Sequence, residues 1–184
     1  FEFHEVRDNF DYVYLAEKLR TFSGKKLHSK RNFVNRFTQN YDWSVEELTE
    51  ENVPLCLEFN KVWCAKNDCC QDESKREEMC AANLALNHLA ALDLKGCILK
   101  VNGQIVAYSV GERINSDTLI VHIEKADADL PGAYPMICQQ MVKMHADGCT
   151  YVNREEDLGV EGLRKAKLSY YPDLFVERFE AVLK

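Results

Sequence analysis

His122 and Glu124 stand two residues apart in the stretch from Thr118 to Lys125. Alternation along a strand puts both on one face, with Val121, Ile123 and Lys125 on the other. A carboxylate placed this way can serve as a general base, directly or through a water, and an imidazole beside it can hold it or share the task. The plainer reading of the pair is a polar rim where a strand leaves its sheet. A denser group follows. Asn153-Arg154-Glu155-Glu156-Asp157-Leu158-Gly159 precedes Glu161-Gly162-Leu163-Arg164-Lys165-Ala166-Lys167-Leu168-Ser169-Tyr170-Tyr171-Pro172. Three acids come before a helix N-terminus, where the helix dipole favours them. Arg164, Lys167 and Tyr171 share a face by i, i+3 and i+4 spacing, and Tyr170 lies three residues after Lys167. The arrangement suits a network in which Glu155, Asp157, Arg164 and Lys167 position a substrate and a tyrosine acts as general acid to a leaving group. It equally suits helix-end electrostatics with no ligand. A third candidate is Gly132-Ala133-Tyr134-Pro135, which opens a helix. Free N–H groups and the dipole there make an anion site that Gly132 lets a ligand approach. The alternative is a tight strand-to-helix turn.

These residues need a scaffold, and the patterning supplies one. The first forty residues read as a strand-like start, a helical piece from Tyr12 to Arg20, and a basic stretch around Ser23-Gly24. Trp43 to Leu48 is a strand. Thr49 to Asn52 open a helix with Pro54 in its first turn and a stripe of Leu55, Cys56, Phe59, Val62 and Trp63. After a loop from Cys64 to Gln71, Ser74 and Glu77 form a capping-box pattern. The helix they open carries Ala81, Leu84, Ala85, His88, Ala91 and Leu92 on one face, with His88 read as a satisfied core histidine. Asn102-Gly103 between two apolar runs is a hairpin. A third strand (Thr118 to Lys125), a helix ending at Gly148, a short strand (Thr150 to Asn153), a helix (Glu161 to Tyr170) and a last strand (Leu174 to Val182) complete the chain. From Tyr41 onward the order is β-α-α-β-β-β-α-β-α-β, an α+β arrangement of a mixed sheet covered by helices on both faces.

The composition narrows the classes. The chain has 184 residues, 46% apolar and 29% charged, with a net charge of −7. By area scaling about 70% of the surface of a chain of this size is buried on folding, enough for a core without staples. No apolar run approaches the ~20 residues of a membrane span, and Phe1 to Glu5 lack the form of a secretory signal. An acidic body argues against nonspecific nucleic-acid binding. Seven of the 23 basic residues nevertheless fall between Lys18 and Arg36, a stretch without an acid, which fits either a phosphate-binding strip or a solvated helix face. The eight cysteines lack the paired spacing of a zinc site. They read as reduced thiols in a cytoplasm, mostly small core fillers.

Several segments together resemble a known family. They are Lys25-Lys26-x-His28-x-Lys30-Arg31-Asn32-x-x-Asn35-Arg36-Phe37, His122-Ile123-Glu124-Lys125-Ala126, Pro131-Gly132-Ala133-Tyr134, and above all the run from Asn153 to Tyr170. The resemblance is to proteins related to the C-terminal domain of phosphatidylglycerol lysyltransferase, and the element order is that of the GNAT acyltransferase fold. The resemblance implies transfer of an acyl or aminoacyl group to an amine or hydroxyl, in a cleft where two central strands splay apart. The donor would be acyl-CoA or aminoacyl-tRNA, used as a co-substrate and not held permanently. A small molecule or lipid headgroup would be the acceptor. Glu124 would be the base or water-holder, with His122 beside it, and Tyr170 the general acid. Gly132, Ala133 and Tyr134 would hold the donor phosphate, and Lys26, Lys30, Arg31 and Arg36 would meet RNA phosphates. No metal is implied. Residues 1–40 would be a connecting segment and the tail of an earlier GNAT-like half, and 41–184 the GNAT-like domain. The usual doubly glycine-marked phosphate loop is missing here, and with the acidic body this leaves a second reading: a binding or interaction domain of the same fold that transfers nothing.

Overall fold

The computed structural model describes residues 1–184 apart from Cys70. The strands are β1 (Glu2–Glu5), β2 (Asp11–Leu15), β3 (Trp43–Glu47), β4 (Lys95–Val101), β5 (Gln104–Arg113), β6 (Thr118–Ala126), β7 (Tyr151–Asn153), β8 (Leu174–Val176) and β9 (Phe179–Val182). The helices are α1 (Ala16–Thr21), α2 (His28–Asn40), α3 (Val53–Lys66), α4 (Glu73–Asn87), α5 (Ala133–His145) and α6 (Glu161–Leu168). Among the described residues, seven strands form one sheet in the order β3-β4-β5-β6-β7-β2-β8, and β1 pairs with β9 in a second, small one. The β6–β7 pair is parallel and its neighbours are antiparallel. Helices α1, α2 and α5 cover one face of the large sheet, and α3 and α4 the other. This is the three-layer α+β arrangement expected from the sequence.

Helix α5 is apolar around nearly its whole circumference because it is sandwiched. Met136, Ile137 and Met141 are fully buried between the sheet and the helices above it. A second core on the far face gathers Cys56, Phe59, Leu86, Ile98, Tyr108 and Val110.

Several elements differ from the sequence reading. Asp11 to Leu15 form a strand, not the start of a helix. Tyr12, Val13 and Tyr14 are all buried, because β2 lies inside the sheet between β7 and β8. A strand covered on both faces shows no alternation. The basic stretch contains a 13-residue helix, α2, whose Val34 and Phe37 pack toward α5. The segment 1–40 therefore contributes a strand and two helices to the same sheet and core. Helix α4 is capped by Asp72, which accepts a 3.2 Å bond from the Lys75 N–H, and not by Ser74. It buries Met79, Ala82 and Leu86, while Leu84 and His88 face solvent. On α3, Cys56 and Phe59 are buried but Leu55 and Val62 are exposed. The last strand is two, β8 beside β2 and β9 beside β1.

Cys56, Cys97 and Cys138 are buried free thiols, as core fillers should be. Cys64 and Cys69 are instead joined in a disulfide, with Cα atoms 5.1 Å apart. The expectation that they are reduced is corrected on that point; Cys70 lies outside the described residues.

Candidate functional site at the β6–β7 opening

Strands β6 and β7 pair only over Thr118–Tyr151, Leu119–Val152 and Ile120–Asn153. Beyond Ile120, β6 runs on beside β5. Beyond Asn153 the chain bends toward β2, where the Arg154 N–H donates to the Tyr12 carbonyl at 2.9 Å. Glu155 and Leu158 take left-handed backbone conformations in this bend, with φ of 57° and 51°. The two parallel strands thus part, and the opening between them holds Glu124 and Arg154.

A β-bulge decides what faces that opening. The β5–β6 register shifts where Val110 pairs with Ile123 but Gly111 with Val121, so His122 is the extra residue. Gly111 permits the close approach this requires, since a Cβ there would lie 2.1 Å from the Ile120 carbonyl oxygen. The bulge breaks the expected alternation. Val121 and Ala126 both belong to the core under α5, and Ile123 packs on the opposite core. Glu124 is left beside Cys138 of α5.

Glu124 and Arg154 form an ion pair at 2.7 Å, each side chain only 11% exposed. Among the described residues, Glu124 Oε2 and Arg154 Nη1 are buried without a hydrogen-bond partner. The Arg154 guanidinium lies 4.6 Å from the Tyr170 ring centre and 5.9 Å from that of Tyr14. From α2, the Lys30 ammonium lies 4.0 Å from the Tyr170 ring centre. Burial raises the Glu124 carboxyl above its ordinary value, opposed by Arg154, Lys167 and Lys30. Burial and the neighbouring Arg154 lower Lys30. Burial holds the Tyr170 phenol well above 10, so it stays protonated. Burial also pushes the Cys138 thiol up to about 12, which makes it an inert neighbour of the pair. Lys30 and Arg154 face Glu124 as their one carboxylate, while Lys167 also feels Glu155 and Glu156.

The other expected residues have different places. His122 has both ring nitrogens against carboxylates, Nδ1 at 2.6 Å from Glu155 and Nε2 at 3.1 Å from Glu112. The Glu155 bond, with Glu112 adding to it, raises its pKa against the effect of burial. An imidazolium held at both ends is a brace and has no free nitrogen for base catalysis. Its contribution to stability is present below pH ~6.5 and is lost as pH rises through the raised value. In an NMR titration His122 should turn over above 6.5, and Glu155→Gln should bring that midpoint down. A midpoint at or below 6.5 in the unmodified protein would refute the brace.

Asp157 is fully buried and accepts from the Tyr12 hydroxyl, from the Gly159 N–H at 2.9 Å, and from Arg164 at 2.8 and 2.6 Å. Arg164 also reaches Asp8 at 2.6 Å. These two residues are fully engaged with the protein and lock the 154–160 loop to the N-terminal turn. The Lys167 ammonium donates to the carbonyls of Arg154 (2.6 Å), Glu155 (3.1 Å) and Glu156. Burial and Arg154 lower it to about 8. It shapes the bend that opens the strands. Gly132 and Ala133 are buried beneath α2. A Cβ on Gly132 would lie 2.8 Å from the Phe33 carbonyl oxygen. The close approach its left-handed φ of 95° allows is therefore taken by α2. Tyr134 is partly buried beside Trp63.

Of the basic residues, Lys30 joins the buried group, Lys26 lies 5.4 Å from the Tyr171 ring centre, and Arg36 is exposed. Arg31 holds its own chain through the carbonyls of Phe22 (2.6 Å) and Gly24 (3.3 Å). Sequence reasoning missed Arg154, Tyr14 and Cys138 as members of the site. Arg154 stood inside the densest motif, and its position next to the last paired residue of β7 is the signal that marks it.

The sequence profile of the family described as phosphatidylglycerol lysyltransferase, C-terminal, matches residues 1–182. A conserved protein of unknown function from Bacteroides thetaiotaomicron has a similar crystal structure, with TM-score 0.93 and 45% identity over 97% of this chain and 60% of that one. The structure of L-PGS from Bacillus licheniformis is similar at TM-score 0.62 and 15% identity, over 96% of this chain and 60% of that one. An uncharacterised protein of Mycoplasmoides gallisepticum is 27% identical over 96% of this chain and 56% of its own length. The chain thus spans somewhat over half the length of the proteins it matches. Its fold is the GNAT-like one of these neighbours. Among the described residues, no helix is long and apolar enough to cross a membrane.

Proposed function

The chain belongs to the family of the phosphatidylglycerol lysyltransferase C-terminal domain, and from that premise we propose that it transfers an aminoacyl group from aminoacyl-tRNA to an amine or hydroxyl acceptor, at the β6–β7 opening. The observation that carries the reading is the Glu124–Arg154 pair, buried where two parallel strands part, with one carboxylate oxygen and one guanidinium nitrogen lacking partners. In this role Glu124 Oε2 takes the proton of the attacking group, and the raised carboxyl pKa brings it nearer the working pH. Arg154 Nη1 donates to the oxygen on which charge develops. The protonated Tyr170 phenol is the group to return a proton to the departing hydroxyl. Two cations, Lys30 and Arg154, against the single Glu124 carboxylate favour a donor or acceptor that carries a phosphate near the reacting atoms, such as an RNA terminus or a lipid headgroup.

An ester donor is preferred to acyl-CoA because α2 covers the start of α5, where the pyrophosphate of coenzyme A would be expected. The alternative, a binding domain of the same fold, gains support from Asp157, Arg164 and Lys167, whose bonds are all made within the protein. The two readings part on turnover. Transfer of a labelled amino acid from charged tRNA should fall by ~10²-fold or more in Glu124→Gln and in Tyr170→Phe. Equal turnover in both variants and the unmodified chain would remove these roles.

A further inference from the structure

The Cys64–Cys69 disulfide lies at the end of α3, and the residues between and beside its two cysteines hold the segment that leads into α5. Trp63 lies under the Lys125 ammonium, 3.9 Å from the ring centre, and is hydrogen-bonded to Tyr134. Lys66 binds both Asp127 (2.9 and 3.0 Å) and Asp129 (2.9 Å). Trp63, Lys66, Asp127 and Asp129 line a groove with Phe59 and Asn67. Asp127 and Asp129 sit between the end of β6 and Gly132, in the segment that leads into α5.

Lys66 is the last residue of α3, and the turn that follows it fixes how the helix ends beside the two aspartates. The Lys66 side chain is 45% exposed, and exposed ion pairs of this kind do not order a segment unaided. Within the turn, Asn67 closes α3 with bonds to the carbonyls of Trp63 and Cys64, and Asp68 is left-handed with φ 54°. Lys75 reaches across to the Asn67 carbonyl at 3.1 Å. The disulfide joins the two ends of this turn. Its two cysteines are only five positions apart in sequence, too close for a large effect on the whole chain. Its consequence is local.

We propose that Cys64 and Cys69 are a reversible thiol–disulfide modification site that controls the order of residues 127–134. Cys69 is buried and Cys64 is partly accessible. A dithiol reductant, dithiothreitol or a thioredoxin-type protein, attacks the Cys64 sulfur as its thiolate and expels the Cys69 thiolate, which takes up a proton. The second thiol of the reductant then closes on the mixed disulfide and releases Cys64 as a thiol. The reductant leaves as a disulfide, and the protein gains two S–H groups. Reduction frees the turn, Lys66 leaves the aspartates, and their like charges loosen the segment before α5. The proposal concerns the order of this segment and holds or fails independently of the transfer reaction.

The test uses the unmodified chain prepared without reductant. Alkylation in denaturant followed by mass spectrometry should mark two fewer cysteines than after dithiothreitol, and the two should be Cys64 and Cys69. Hydrogen exchange should then be about tenfold faster in peptides covering 61–69 and 126–134 once the protein is reduced, with the β4–β5 hairpin unchanged. Cys64→Ser should exchange like the reduced protein, and Cys80→Ser, at an exposed free cysteine, like the oxidised one. Full alkylation before reduction would overturn the proposal. So would unchanged exchange over 126–134, and this measurement on the unmodified chain does not depend on any variant folding.

Discussion

Replacing Arg154 by methionine should cost about 3–5 kcal/mol of unfolding free energy, the scale for breaking a buried ion pair from one side. The methionine fills much of the space but leaves the Glu124 carboxylate, 11% exposed, without its 2.7 Å partner. It also removes the cation stacked on Tyr170 and Tyr14. The cost should be conditional on charge. In the double variant Arg154→Met, Glu124→Gln the carboxylate is gone, and most of the loss should be recovered. Urea unfolding of the four proteins closes the cycle. A coupling energy below about 1 kcal/mol would mean that the two side chains do not depend on each other, and the ion pair would no longer define the site.

Asp157→Asn should lose roughly 2–4 kcal/mol, because one carboxylate serves Tyr12, Gly159 and Arg164 together and an amide cannot. Burial alone would raise this carboxyl. Arg164, Tyr12 and the Gly159 N–H outweigh it and hold the pKa well below the usual carboxylate range. The sign follows from that direction. The unfolded chain takes up the proton first as pH falls, so the stabilisation is fully present above about pH 4 and drains away as acid carries the folded carboxyl through its depressed pKa. Unfolding curves from pH 7 down to pH 3 should show a steeper acid limb in the unmodified protein than in Asp157→Asn. Parallel limbs would show that another carboxylate governs acid unfolding. Because Asp157 and Arg164 tie the 154–160 loop to Asp8, the variant should also exchange amide hydrogens faster around Arg154.

These two residues show what a sequence reveals and what it hides. Asp157 and Arg164 were visible as chemistry-bearing residues from their spacing, but spacing could not show that they saturate each other. Glu124 was legible as the important acid of β6. The partnership with His122 that alternation suggests does not form, because one extra residue in β6 resets the alternation, and bulges leave little trace beyond a glycine such as Gly111 on the facing strand. The Asn102-Gly103 hairpin, α5 and the short β7 followed from turn residues and apolar periodicity. Strand β2 did not, since it is buried on both faces, and α2 was masked by its charge. His88 was misplaced because α4 ends at Asn87 and buries Met79, Ala82 and Leu86, which leaves His88 as an exposed cap residue. Lys30 was read as a surface cation. The packing of α2 over α5 brings it to Tyr170, a long-range contact that local pattern does not encode.

In the proposed reading the β6–β7 opening takes an aminoacyl ester. A thermal-shift comparison of charged tRNA, uncharged tRNA and acetyl-CoA, on the unmodified chain and on Glu124→Gln, tests it most directly. A ligand at 100 times its dissociation constant adds about 2.7 kcal/mol, roughly a 5–10 °C rise for a chain of this size. The expected result is a rise with charged tRNA that exceeds the rise with uncharged tRNA, a difference that shrinks in Glu124→Gln, and no response to acetyl-CoA. A rise with acetyl-CoA alone, or no response to any of the three, would contradict it.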